Sequence, residues 1–358
     1  MKKWCVAAAM AVVSGAWAQS SVTVSGLVDV YVGSMRMAGD TGRKSVVDSG
    51  GMTTSYFGFS GIEDLGGGLA AGFKLGSFFR ADSGQFGRFN GDTNMSRDAN
   101  VFLTGKFGTL TLGRAMAPNF LPTILFNPFG DSFAFSPLVL HANVSTTGWP
   151  YTTSTADTGW SNQVTYSIPT WGGLSANVHY QFGEQIGTGL KHKGNAGIDV
   201  MYRNGPLALT AIYERAQIAN PAGTTLYAGN DTRKDWMLGA TYDFSVVKLF
   251  LTYGEAERAA TNQKFKTAQA GVSIPVGAGK ILASVAQTRR TVPVAFTGVA
   301  PIYSLWVDGY DKSKRTTATV GYDYFLSKRT DLYVNVMHDR VTDLTSGTSV
   351  GLGMRHRF

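Results

Sequence analysis

Apolar and polar residues alternate along most of this chain with a period of two. In the first such stretch Val22, Val24, Val28, Val30 and Val32 share one face, while Thr23, Ser25, Asp29 and Tyr31 share the other. Side chains of a β-strand point alternately to opposite sides, so the stretch reads as a strand that is apolar on one side only. The same alternation returns in 174–182, 207–214, 236–244, 317–324 and 349–358. Sixteen such segments can be placed, near 21–33, 53–64, 68–79, 97–106, 109–115, 161–169, 173–182, 195–203, 206–215, 233–244, 247–256, 264–275, 279–289, 315–326, 330–340 and 348–358.

The connections alternate too. Tight turns at 64–67, 107–108, 204–206, 276–279 and 326–329 are interleaved with long stretches at 34–52, 80–96, 116–160, 183–194, 216–232, 257–263, 290–314 and 341–347. Short turns on one side and long loops on the other form the layout of an outer-membrane β-barrel. A soluble barrel hides its apolar face inside. Here the polar face carries Asp29, Lys74, His179, Asp199, Arg203, Glu214, Lys248, Asp323 and Arg355. A ring of about sixteen strands is too wide for side chains to fill, so that face can line water while the apolar face meets lipid. Tyrosines and phenylalanines near strand ends (Tyr180, Phe182, Tyr213, Tyr242, Phe244, Tyr322, Tyr324, Phe358) match the expected interfacial girdles. An open sheet edge is intolerable in hydrocarbon, so the first and last strands should pair.

Composition narrows the picture. Of 358 residues, 44 are Gly and 16% are charged, below the usual share of about 25%, and the formal charge is +8. Residues 1–18 read as a secretory leader. Lys2 and Lys3 precede an apolar run from Val6 to Val13, then Ala16-Trp17-Ala18, with cleavage expected between Ala18 and Gln19. The single cysteine, Cys5, lies within that leader, so disulfides would not stabilise residues 19–358. No segment offers the roughly 18–20 apolar residues of a membrane helix. A plugged, energy-coupled transporter is disfavoured, because the first strand begins a few residues after Gln19.

Catalytic chemistry finds no footing. His141, His179, His192, His338 and His356 are scattered without metal-ligand spacing. Gly66-Gly67-Gly68 lacks the Lys-Ser/Thr of a phosphate loop and reads as a hairpin turn. No basic stripe tracks nucleic acid. Neither a cofactor, a metal nor a nucleic-acid partner is expected.

Five stretches, in this order and spacing, carry a family likeness: Ser21 to Asp29, Phe57 to Phe73, Phe107 to Arg114, Asn162 to Gly173 with Tyr166 and Pro169, and Gly351 to Phe358. On these the sequence resembles the general porins of Gram-negative outer membranes, in particular their β-proteobacterial branch. The resemblance implies an all-β fold, a 16-stranded antiparallel transmembrane β-barrel with an inward-folded third loop. It also implies a homotrimer in contact with outer-membrane lipid and lipopolysaccharide, and Phe358 as the assembly signal. The third loop would be 116–160, with Pro128-Phe129-Gly130-Asp131 at its inward tip. Its aromatic residues Phe120, Phe126, Phe129, Phe133, Phe135, Trp149, Tyr151 and Trp160 suggest burial against the wall.

Candidate pore-lining residues are Lys74, Asp98, Arg114, Asp131 and Tyr56. Lys74 would attract anions or merely be a solvated wall lysine. Arg114 would line the narrowest passage or hold a structural salt bridge, and Asp131 would act there or cap a turn. Tyr56 stands where the family often has arginine, and alternation turns Asp98 rather than Arg97 toward the lumen. The expected function is passive diffusion of ions and small hydrophilic solutes. Selective passage of aromatic or carboxylated solutes is an alternative, as is an adhesin or surface receptor built on the external loops.

Overall fold

The computed structural model describes residues 21–141, 159–183, 194–218, 231–258, 263–291 and 312–358. The leader, the cleavage site Ala18/Gln19, Trp149, Tyr151 and His192 lie outside the described residues. The strands are β1 Ser21–Met35, β2 Lys44–Ser49, β3 Tyr56–Gly66, β4 Leu69–Arg80, β5 Gln85–Phe86, β6 Asp98–Gly105, β7 Gly108–Met116, β8 Gly159–Ser167 and β9 Leu174–Gln181. They continue with β10 Asn195–Asn204, β11 Leu207–Ile218, β12 Asp231–Asp243, β13 Lys248–Arg258, β14 Gln263–Val276, β15 Gly279–Thr291, β16 Lys312–Phe325, β17 Thr330–Val341 and β18 Gly347–Arg357. Two short helices, α1 Phe120–Leu125 and α2 Pro137–His141, lie between β7 and β8.

Each wall strand pairs antiparallel with its neighbours, and β18 pairs with β1 from Leu27↔Arg357 to Ser34↔Val350. The result is a closed sixteen-stranded barrel, as the alternation predicts. β2 and β5 are additions, in stretches the pattern leaves as loops. β2 continues the pairing of β1 above Val30, and β3 takes over below Leu27. The closing seam extends to the last residue, where Phe358 and Gly26 exchange two backbone hydrogen bonds of 3.0 Å. Closure removes the free sheet edge, where in lipid each unpaired backbone group would cost several kcal/mol.

The two faces are inverted relative to a soluble protein. Val22, Val101, Leu112, Leu238, Leu251, Val320, Val336 and Leu352 are all exposed on the outside. Buried residues of the inner face include Asp29, Asn100, Gln163, His179, Asp199, Glu214, Gln269, Asp323, Asn335 and Arg355. The apolar alternation therefore faces lipid and the polar alternation faces the bore, which is the arrangement expected of a membrane barrel.

Candidate functional site

The segment after β7 does not stay outside. It runs inward along the wall, with α1 against β11 and α2 against β14, β15 and β16. Strand glycines clear its path. A Cβ at Gly197 would meet Pro118 at 2.5 Å, one at Gly271 would meet Pro128 at 2.8 Å, and one at Gly351 would meet Phe135 at 2.5 Å. These glycines sit at inward positions of β10, β14 and β18, where any larger residue would hold the loop off the wall.

The loop carries its own apolar anchor. Phe129 and Phe135 are both 0% exposed, packed with Tyr31, Met52, Leu282, Tyr333 and Met337. Leu138 of α2 packs with Ile212 and Met237. Burying a phenylalanine side chain contributes about 1.5–3 kcal/mol, so these contacts fasten the loop to the barrel interior. The aromatic burial foreseen for this loop is observed at Phe126, Phe129, Phe135 and Trp160.

Polar bonds fix its course. Asn119 donates to Glu214 of β11 at 3.1 Å. Asn127 accepts from the Phe129 amide and the Ser136 hydroxyl, each at 2.8 Å, and shapes the tip. Ser132 donates to the Gly51 carbonyl at 2.6 Å. At α2 Arg315 grips Asp339 through two bonds of 2.9 and 3.2 Å and donates to the Leu140 carbonyl at 3.1 Å.

His141 bridges Thr288 Oγ1 at 2.9 Å and Thr317 Oγ1 at 2.6 Å. Thr317 donates its own proton to Asp339 at 2.5 Å, so it must accept from His141 Nε2–H. Nδ1 then accepts from Thr288. Burial, with the Arg315 cation beside it, holds the imidazole well below its usual range and keeps it neutral.

The tip rests on a second inward excursion. Between β2 and β3 the chain turns into the lumen over residues 50–55, and Asp29 organises it. The amides of Gly51, Met52 and Thr53 donate to the Asp29 carboxylate at 3.2, 2.8 and 2.7 Å, and Tyr333 donates at 2.5 Å. Arg355 donates to Thr53 at 2.7 Å and to Asp331 and Asp323 of the wall. Asp131 at the loop tip bonds to Thr53 and to the Thr54 backbone. Burial there pushes its carboxyl up to about 6, against those bonds, which favour the ionised form.

The loop and its props cover the wall from β10 round to β1. On the inner face of β3, β4 and β6 Lys74 is exposed and Tyr56 half-buried while Asp98 and Asn100 are buried, and there three sequence candidates come together. Tyr56 lies across from Leu27 and Phe78 on the inner face. The Arg97 guanidinium stacks 4.0 Å above its ring and pairs with Asp98 at 3.0 Å. Lys74, two residues from Gly76, is exposed on the same face, 5.7 Å from the Phe102 ring. Alternation alone assigns only Asp98 to the bore. Arg97 joins it because it sits at a bend before β6, where strand parity does not apply.

Arg114 occupies a different setting. The register of β7 against β8 slips between Gly113 and Ala115, and Gly113 has φ 118°. Such a bulge re-aims the side chain beside it. Arg114 is 8% exposed, its guanidinium donating to the Ser96 carbonyl at 2.7 Å and the Ser161 hydroxyl at 3.0 Å. It ties together the roots of two loops. Sequence reasoning missed the Asp29 hub, the Arg97 stack and the His141 bridge. The Gly50-Gly51 pair beside Asp29 was the available signal for the first.

Comparison with known proteins agrees with this geometry. A family model described as Gram-negative porin matches residues 6–344. The chain is 31% identical to outer membrane porin protein 32 of Delftia acidovorans and 27% identical to an outer membrane porin protein of Bordetella pertussis, each over the whole of both chains. Among solved structures, an anion-selective porin from Comamonas acidovorans superposes with a TM-score of 0.75 at 28% identity, covering 95% of this chain and 100% of that one. OmpT of Vibrio cholerae in its trimer form shares the fold, with a TM-score of 0.65 at 14% identity, covering 95% and 99%. A sealed wall with a greasy exterior and a polar bore, matched by such relatives from end to end, makes this chain a member of the Gram-negative porin family.

Proposed function

We propose that solutes pass between the inward loop and the open bank of β3, β4 and β6, with Tyr56, Lys74, Arg97 and Asp98 on one side and Asp131 on the other. The protein is an outer-membrane porin that admits ions and small hydrophilic solutes by passive diffusion. The observation that carries this reading is the polar inner face combined with a loop held against part of it. The family acts by diffusion rather than catalysis.

The open bank favours weak anion preference. Wall acids such as Asp339 and Asp331 are spent in close pairs with Arg315 and Arg355, and Asp199 is hydrogen-bonded to His179. Lys74 projects into the bore, and Arg97 is 36% exposed. Low-dielectric walls focus such charge on the passage. Arg114 holds the loop roots and shapes the passage indirectly. A reversal potential under a potassium chloride gradient tests this. Anion-leaning values that move toward zero in Lys74→Gln and Arg97→Gln support it; cation-leaning values would sink it.

Three further parts belong to the same reading. Residues 1–18 act as an export leader cleaved after Ala18. Phe358 marks the chain for outer-membrane assembly. The working unit is a homotrimer, as in the trimer form of OmpT. Chemical crosslinking in native membranes, resolved on gels, should give a species of three chains.

A further inference from the structure

Most aromatic rings inside the barrel are committed to packing. Phe126, Phe129, Phe135 and Trp160 of the third loop are buried against the wall. Tyr31, Phe250 and Tyr333 of the wall are buried as well, and Tyr56 lies under the Arg97 guanidinium. Phe102 of β6 differs. It stands between Val101 and Leu103, which are exposed on the lipid face, and two residues beyond the buried Asn100, so it belongs to the inner face. There it is half-buried.

A glycine sets the direction of this ring. Phe102 pairs with Gly72 of β4, and a Cβ at Gly72 would fall on Phe102 Cζ and lie 2.9 Å from Cε1. Glycine inside a strand often marks a place where another group comes close. The ring therefore reaches sideways over the bare glycine and lies along the wall, one face down and the other toward the bore. Thr111 flanks it on β7, and Thr104 and Thr109 hydrogen-bond to each other at 2.8 Å one step nearer the short turn.

One cation stands beside this platform. Lys74, two residues from Gly72, places Nζ 5.7 Å from the ring centre. A cation within about 6 Å of a ring is drawn to its face. Lys74 is exposed, and among the described residues no acidic side chain pairs with it. Its cross-strand neighbours, Ser60 and Asn100, are neutral, and Asp98 is held by Arg97. The ammonium is a charge without a fixed anion at the rim of an aromatic surface. A halide meets the ammonium alone, and a neutral ring meets Phe102 alone. Offset-stacked rings keep their centres about 4.5–7 Å apart, a displacement that carries a carboxylate on the upper ring over Lys74. A flat anion uses both groups.

We propose that Phe102 and Lys74 form a subsite for aromatic monocarboxylates in transit, ring on ring and carboxylate on ammonium. The inference rests on the reading of β3, β4 and β6 as one bank of the passage and names a solute class for it. The test is block of potassium chloride current in planar bilayers, near neutral pH, by benzoate, cyclohexanecarboxylate and benzamide. Benzoate should block saturably, with half-block at a concentration about 2- to 10-fold below that of cyclohexanecarboxylate, which has the charge without the flat ring. Benzamide keeps the ring and loses the charge, and should block about 2- to 5-fold more weakly than benzoate.

Phe102→Leu should abolish the preference for benzoate over cyclohexanecarboxylate, and Phe102→Tyr, which keeps a ring, should retain it. Lys74→Gln should abolish the preference for benzoate over benzamide. Equal half-blocking concentrations of benzoate and cyclohexanecarboxylate in the native chain overturn the proposal without any variant. A benzoate preference undiminished in Phe102→Leu overturns it too. A native chain that passes no current would instead overturn the channel reading, so the two failures are distinguishable.

Discussion

Asp131 shows how one half-buried carboxyl can couple pH to the passage. Its value of about 6 lies above the ordinary 3.8, so between the two the folded chain holds a proton that an unfolded chain releases. The contribution of this group to stability is therefore complete at acid pH and is lost as pH rises through about 6. Ionisation in the same interval adds a negative charge beside the passage. Anion preference should fall as pH is raised from about 5 to 7, with the sign set by the Asp131 value of about 6. In Asp131→Asn that pH dependence of the reversal potential should vanish. His141 behaves in the opposite sense, since it stays neutral and serves only as a double hydrogen-bond bridge. His141→Phe removes both bridging bonds, leaving Thr317 its bond to Asp339 and Thr288 its bond to Thr267, and should cost about 1–3 kcal/mol, readable as a lower urea midpoint.

At the level of elements, the inward loop is held by shape as much as by bonds. Gly351→Val would drive a side chain into the Phe135 ring, and Gly271→Leu would do the same at Pro128. Either change should lift the loop and raise single-channel conductance, with current noise increasing as the tip loosens. Phe135→Ala should destabilise the tip by about 3–5 kcal/mol, since it empties a fully packed site. Much of this architecture was legible in the residue pattern, because lipid imposes a strict period of two on every outward position. That demand ends where lipid ends. β11, β12, β14 and β16 run on to Ile218, Asp231, Gln263 and Lys312, past the segments the alternation marks, since water on both sides leaves no polarity contrast. The same limit hid β2 and β5. Arg97 escaped for a related reason, as parity says nothing about a bend, while Arg114 lies beside a bulge that no periodicity records.

The whole molecule is a seam-closed ring, and its integrity depends on the last residue meeting the first strand. Removing Phe358 deletes both backbone bonds to Gly26 and the aromatic ring that covers it. The yield of folded barrel on dilution from urea into detergent should drop, scored as the fraction that migrates fast on unheated gels and shifts after boiling. An intact wall also explains why the fold needs no disulfide. Its backbone bonds run around the full circumference, and in hydrocarbon there is no water to compete for them.

The attachment of the described stretch of the third loop at Asn119, at its tip and at His141 has a mechanical outcome. Lifting the described stretch off the wall would require tearing aromatic rings from it and breaking its bonds to residues 51–54, which resists widening of the gap. Such a rigid sieve should exclude by size abruptly, with the permeation rate of graded neutral sugars collapsing over a narrow range of mass instead of tapering.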